Sequence, residues 1–119
     1  MYGVSPEHSC VMYESLKAGE QLDLPSKPTL SDGTAGGVEF GSITFQLCKD
    51  VIDEFTVVSE DEIIDGIRIG VEKHHQLIEG AAGTAIAGFL KYKSNLIGKI
   101  VVIVMCGGNI SSEVLKTIL

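Results

Sequence analysis

The chain has 119 residues, 45% apolar and 21% charged, a composition that can bury a core within one domain and excludes a wholly disordered chain. A net charge of −7 without any basic run excludes a nucleic-acid surface, which needs clustered Lys and Arg against phosphates. No apolar stretch reaches the ~20 residues of a membrane span, the N-terminus lacks a charged n-region with an apolar h-region, and Cys10, Cys48 and Cys106 form neither a Cys-x-x-Cys pair nor an even disulfide set, so a reduced, cytoplasmic setting is expected.

Tyr2–Val4 is a short apolar start that stops at Ser5-Pro6. Pro6, followed by Glu7 and His8, suits the opening of a helix, because proline is tolerated and acids are favoured in a first turn. Cys10, Val11, Tyr13, Leu16 and Lys17 continue it as an amphipathic helix closed by Gly19. Residues 20–42 then form a long connection with two prolines and glycines at 33, 36, 37 and 41. Loops of this length inside a compact domain are usually functional or disordered. Ser31-Asp32-Gly33 is turn chemistry with an available carboxylate, and a plain Asx turn capped by Asp32 is the competing account.

Ser42 reads as the N-cap of a helix running to about Asp53, with Ile43, Phe45, Leu47, Cys48, Val51 and Ile52 on it. Phe55–Val58 is a short β-rich run. Ser59 and Glu62 form a capping box, and the helix it opens carries Ile63, Ile64, Ile67 and Val71 at helical spacing before ending in Lys73-His74-His75. Adjacent helical histidines point about 100° apart, so His74-His75 is no metal pair. Gln76–Ile78 reads as a brief extended piece. The stretch from Glu79 through Gly80-Ala81-Ala82-Gly83 to Gly88 is small on every face, so a helix there can approach a neighbour or a ligand closely. Glu79 is its one ionisable group, and a dipole-favoured N-terminal acid is the competing account.

Ile100–Met105 is six apolar residues rich in Val and Ile, the pattern of a strand buried on both faces of a parallel sheet. It ends at Cys106-Gly107-Gly108-Asn109 and is followed by a helical pattern over Ser111–Leu119. Ligands in open α/β sheets sit beyond the carboxyl end of such strands, although an ordinary strand–helix turn has the same glycines. The order of helix, long loop, helix, strand, helix, helix, strand, helix predicts an α/β fold, part of a mostly parallel sheet flanked by helices. Two or three strands are fewer than a usual sheet has, so the chain reads as a portion of one.

Ser31-Asp32-Gly33, Gly41-Ser42-Ile43-Thr44-Phe45, Val57-Val58-Ser59-Glu60-Asp61-Glu62-Ile63, Glu79-Gly80-Ala81-Ala82-Gly83 and Cys106-Gly107-Gly108-Asn109 stand in one order over essentially the whole chain. Together they resemble the C-terminal part of the catalytic domain of the threonine/serine dehydratases, the fold-type II (tryptophan synthase β-like) pyridoxal phosphate enzymes that also include serine racemase. The resemblance implies a lyase that deaminates L-threonine or L-serine to a 2-oxo acid and ammonia with pyridoxal 5'-phosphate. It implies that Cys106 hydrogen-bonds the cofactor's ring nitrogen, that Gly107 makes the turn against which the ring lies, and that Asp32, Gly33 and Glu79 lie near cofactor or substrate. A thiol does not hold the ring nitrogen protonated as an aspartate would, which suits β-elimination.

The same resemblance sets out what is lacking. The positions matching the family's cation ligands are Ser5, Ser9 and Val11, none a carboxylate, so no metal is expected. None of Lys17, Lys27, Lys49, Lys73, Lys91, Lys93, Lys99 and Lys116 stands in the Ser-x-Lys-x-Arg context of the Schiff-base lysine, and no glycine-rich phosphate loop is present. Residues 1–119 are therefore expected to be a C-terminal portion of a catalytic domain, with no catalytic residue of its own and weak cofactor retention. Its partners are expected to be a small amino-acid substrate in the intact enzyme, and either a second copy or the missing half across an open sheet edge. The alternative is a non-catalytic α/β interaction or regulatory module derived from the same fold. A flavodoxin-like mononucleotide binder is a poorer match, because Gly3-Val4-Ser5-Pro6 supplies no glycine-rich loop.

Overall fold

A computed structural model describes residues 1–119. Two strands, β1 (Tyr2–Pro6) and β2 (Glu54–Val58), pair in parallel with Tyr2 opposite Glu54 and Pro6 opposite Val58. Parallel neighbours need a crossover, and here it consists of α1 (Val11–Ala18), the long loop and α2 (Ile43–Val51). After β2 come α3 (Glu60–His74), α4 (Gly80–Tyr92) and α5 (Ser112–Ile118). The α/β class and the parallel pairing are as the residue pattern predicts.

Local chemistry sets most of the boundaries. Gly19 closes α1 with φ 80°, a left-handed conformation that costs a glycine nothing. The Ser42 and Ser111 side chains cap α2 and α5, accepting from the amides of Thr44 and Val114. At α3 the capping box is complete: the Glu62 amide donates to Ser59 Oγ at 3.3 Å, and the Ser59 amide donates to Glu62 Oε2 at 2.7 Å. The helix ends at His75 with φ 54°, whose amide reaches the Val71 carbonyl.

Three boundaries differ from expectation. Pro6 belongs to β1, and Glu7–Ser9 is a single 3-10 turn, so the first helix starts only at Val11. Gln76–Ile78 joins no ladder: the Gln76 amide is used to close α3, on the Gly70 carbonyl. The third difference is larger. Ile100–Met105 is no strand, because its backbone makes no hydrogen bond within the chain, and a strand exists only through its ladder. Burial alternates along it. Ile100, Val102 and Val104 are 100%, 84% and 71% exposed, whereas Ile103 and Met105 pack on the core. One face is covered and the other is open, where the apolar run suggested burial on both.

The core is built mainly from α3 and α4, with Val58 from β2 and Ile118 from α5, and contains Val58, Ile63, Ile67, Ile78, Ala82, Ile86, Ala87 and Ile118. The two helices meet at their glycines. A Cβ on Gly66 would collide with the Gly83 carbonyl, and one on Gly83 would lie 2.7 Å from Ile67 Cγ1. On the other side of α4, a Cβ on Gly88 would lie 2.9 Å from Val4 of β1. The small residues of α4 thus serve to seat it against both neighbours.

Glu62 also accepts from Lys91 Nζ of α4 at 3.0 Å. Partial burial acts to raise its pKa, but the hydrogen bonds from the Ser59 amide and Lys91 outweigh it and hold the carboxyl below its ordinary value of 4.5. A depressed carboxyl stabilises the fold above its unfolded pKa, and that contribution disappears as the pH falls through the folded value. Glu62→Gln is accordingly expected to melt below the wild type at neutral pH and to converge with it in acid. A gap that persists unchanged into strong acid contradicts this assignment.

Candidate cofactor site

Three separate segments come together at the start of α4, and Glu79 joins them. Its backbone is extended (ψ 177°), and its side chain does not cap the helix it precedes. Instead, Glu79 Oε2 accepts from the Asn109 amide at 2.7 Å, and the Glu79 amide donates to the Gly107 carbonyl at 3.3 Å. A Cβ on Gly107 would press into this carboxylate, 2.6 Å from Oε2, and one on Gly33 would stand 3.2 Å from Oε1. Gly107 also has φ 98°, which L side chains rarely adopt. Glycine is needed at 107 on two counts. The carboxylate is therefore bonded to the 106–109 turn and packs against the loop at Gly33, a role distinct from a simple interaction with the helix dipole.

Cys106 is exposed and lines an open groove of about 640 Å³. The floor of the groove is the small face of α4 (Ala81, Thr84, Ala85 and Gly88), and Thr34 lies beside it. Thr84 Oγ1 donates to the Gly80 carbonyl at 2.9 Å, so its hydroxyl is occupied within the helix. An apolar groove with small residues on its floor and a thiol in its lining has room for one face of a planar heteroaromatic ring, with the thiol available to a ring nitrogen. The residues present therefore fit the ring portion of pyridoxal phosphate.

The structure places Gly33 and Gly107 against Glu79, with Cys106 next to Gly107 and Asp32 next to Gly33. The exposed Asp32 carboxylate accepts from its own neighbour, the Gly33 amide, at 2.8 Å, and the Asx turn of the competing account is not made, because the Thr34 amide donates to the Ser31 carbonyl. Residue reasoning missed two contributors. The Asn109 amide is one, and its place in the Cys-Gly-Gly-Asn turn was the available signal. The other is the Leu30 carbonyl, against which a Cβ on Gly80 would collide, and no local pattern marks it. Of the positions matching the family's cation ligands, Ser9 has its hydroxyl shared with Ser26 and accepting from the Gly36 amide.

The fold is a parallel α/β one with an open groove beside a glycine turn. The family model described as pyridoxal-phosphate dependent enzyme matches residues 1–107, and the chain belongs to that family. It is 38% identical over 117 residues to the L-threonine ammonia-lyase of Thermotoga maritima, covering 98% of this chain and 29% of that protein. The processed form of threonine deaminase isoform 2 from Solanum lycopersicum superposes with a TM-score of 0.85 at 28% identity, over 98% of this chain and 34% of that one. Maize serine racemase gives a TM-score of 0.85 at 24% identity, over 98% of this chain and 36% of that one, a likeness of fold. The chain thus spans about a third of the length of these proteins. No helix is long and apolar enough to cross a membrane.

Proposed function

We propose that residues 1–119 form a C-terminal portion of the catalytic domain of a cytoplasmic threonine/serine dehydratase and supply one wall of its cofactor site. The observation that carries this reading is the meeting of Gly33 and the Cys106–Asn109 turn at Glu79, above a groove that suits a flat ring. When bound, pyridoxal phosphate supplies an electron sink for elimination at an amino acid. In this reading the Cys106 thiol meets the ring nitrogen without holding it protonated, Gly107 lets the backbone lie close to the ring, and Glu79 fixes the turn. Asp32 and Gly33 would stand near the bound cofactor. The covalent lysine and the phosphate cradle come from outside these residues, since no lysine here has the required context.

The same reading gives the open groove an occupant. It lies between β1 and the extended Ile100–Val104, with Tyr2 and Val4 on one wall. Backbone donors and acceptors along Ile100–Val104 are unpaired within the chain, which is the condition for adding a strand. We assign that place to strands of the remainder of the catalytic domain.

The purified chain is expected to show no turnover of L-threonine or L-serine and only weak pyridoxal phosphate binding in an absorbance titration. Combined with the N-terminal portion of a dehydratase catalytic domain, it is expected to gain both tight binding and turnover. Cys106→Ser is expected to retain this activity, and Cys106→Asp to lose it. Turnover by the chain alone, above a no-protein control, overturns the dependence on a second portion. A stable combined complex that neither binds cofactor nor turns over overturns the dehydratase reading.

A further inference from the structure

The loop that carries Gly33 is not held by the site itself. Glu60, the first residue of α3, lies on the far side of that loop. Its Oε1 accepts from the Thr29 hydroxyl at 2.6 Å and its Oε2 accepts from the Leu30 amide at 2.7 Å, so both oxygens are committed to the loop. Thr29 Oγ1 in turn accepts from the Ser31 amide at 3.1 Å. His8 completes the arrangement from the 3-10 turn that follows β1: its Nδ1 lies 2.8 Å from the Pro28 carbonyl and 3.6 Å from Glu60 Oε1, and its own carbonyl accepts from the Lys27 amide at 2.8 Å. Beyond these bonds, the Leu30 carbonyl sits against the bare Cα of Gly80, Ser31 is fully buried, and Gly33 reaches Glu79.

We infer that Glu60, acting through Thr29, is a positioning residue of the cofactor site, setting the loop at the depth at which Gly33 meets Glu79. The role differs from that of an ordinary first-turn acid. Such an acid favours the helix through its charge alone, and Asp61, one position on, serves that purpose equally well. Glu60 instead makes two charge-assisted hydrogen bonds to a segment about thirty residues away. They resemble a helix cap turned outward, with the carboxylate at the head of α3 accepting from another segment's donors. Gly33 packs against the Glu79 carboxylate without bonding it, so displacement of the loop changes the space open to that carboxylate and with it the bond that it accepts from the Asn109 amide. The inference rests on the site reading above, but its test needs no cofactor and no turnover.

The experiment is amide nuclear magnetic resonance and hydrogen exchange on the complete 119-residue chain, comparing Glu60→Ala, Thr29→Val, Thr29→Ser and Asp61→Asn. Glu60→Ala and Thr29→Val are expected to move the Gly33 and Asn109 amide resonances and to lower Asn109 protection about tenfold. Thr29→Ser keeps the hydroxyl and is expected to restore the wild-type signals. Asp61→Asn removes a first-turn charge and is expected to leave Gly33 and Asn109 unmoved. The inference is overturned if folded Thr29→Val changes only Leu30 and Ser31, or if Asp61→Asn perturbs Asn109 as strongly as Glu60→Ala. Because Thr29→Val leaves the α3 sequence intact, the test holds even where Glu60→Ala lowers overall stability. Failure of the dehydratase reading shows instead in the cofactor and turnover assays, which these amide signals do not enter.

Discussion

Gly66→Ala is expected to lower stability by about 3 kcal/mol, the upper part of the range for overpacking a core. Alanine normally favours a helix over glycine by about 1 kcal/mol, so propensity alone predicts the opposite sign. Packing decides the outcome here. The added methyl would collide with the Gly83 carbonyl and lie 3.1 Å from the Gly83 Cα, and backbone atoms of a packed helix cannot swing aside as a side chain can. Either the helices separate, exposing Ile63 and Ile67, or the chain fails to fold. Thermal and urea melts of Gly66→Ala beside Gly37→Ala, where an added Cβ meets nothing within 4 Å, provide the measurement. Equal stability of the two variants contradicts the close glycine crossing of α3 and α4.

Gly107→Ala is expected to act on the site with a smaller loss of global stability. A non-glycine residue at φ 98° is strained by about 1–3 kcal/mol, and the methyl would also occupy the space of the Glu79 carboxylate. The turn lies at the surface, so the chain can yield locally by moving Glu79 off the Asn109 amide. In the chain combined with its complementary portion, we expect pyridoxal phosphate affinity to fall at least about tenfold, corresponding to about 1.4 kcal/mol. Thermal stability should change much less than in Gly66→Ala. Unchanged cofactor affinity in a folded Gly107→Ala complex removes Gly107 from the site.

Features that depend on neighbours in sequence were legible from the residues. The Ser59–Glu62 box, the Gly19 terminus and the Ser42 cap involve groups within a few positions, and the structure reproduces each. Glycines beside a thiol and a carboxylate marked Cys106, Gly107, Gly33 and Glu79 as places open to close approach, and the fold sets Gly33 and Gly107 against the Glu79 carboxylate. Features that depend on distant partners were not legible. Ile100–Met105 has the composition of a central strand, yet its ladder requires a second backbone, which no apolar run can specify. Asp32 and Glu79 looked alike as acids beside glycines, and only the fold shows that Asp32 accepts from the adjacent Gly33 amide and Glu79 from the distant Asn109 amide. Glu60 was indistinguishable from Asp61 and Glu62 as a first-turn acid until the fold set Thr29 and Leu30 against it.

The glycine contact between α3 and α4 bears on the order in which the chain assembles. These helices follow one another across only residues 75–79, α3 enters through a closed capping box, and most of the core lies on their shared face. Their contacts close short loops. The pairing of Tyr2 with Glu54 closes one that includes two helices and a long connection, and loop closure of that kind slows folding. The helical hairpin is therefore expected to form first, with β1 docking later onto a surface that α4 supplies.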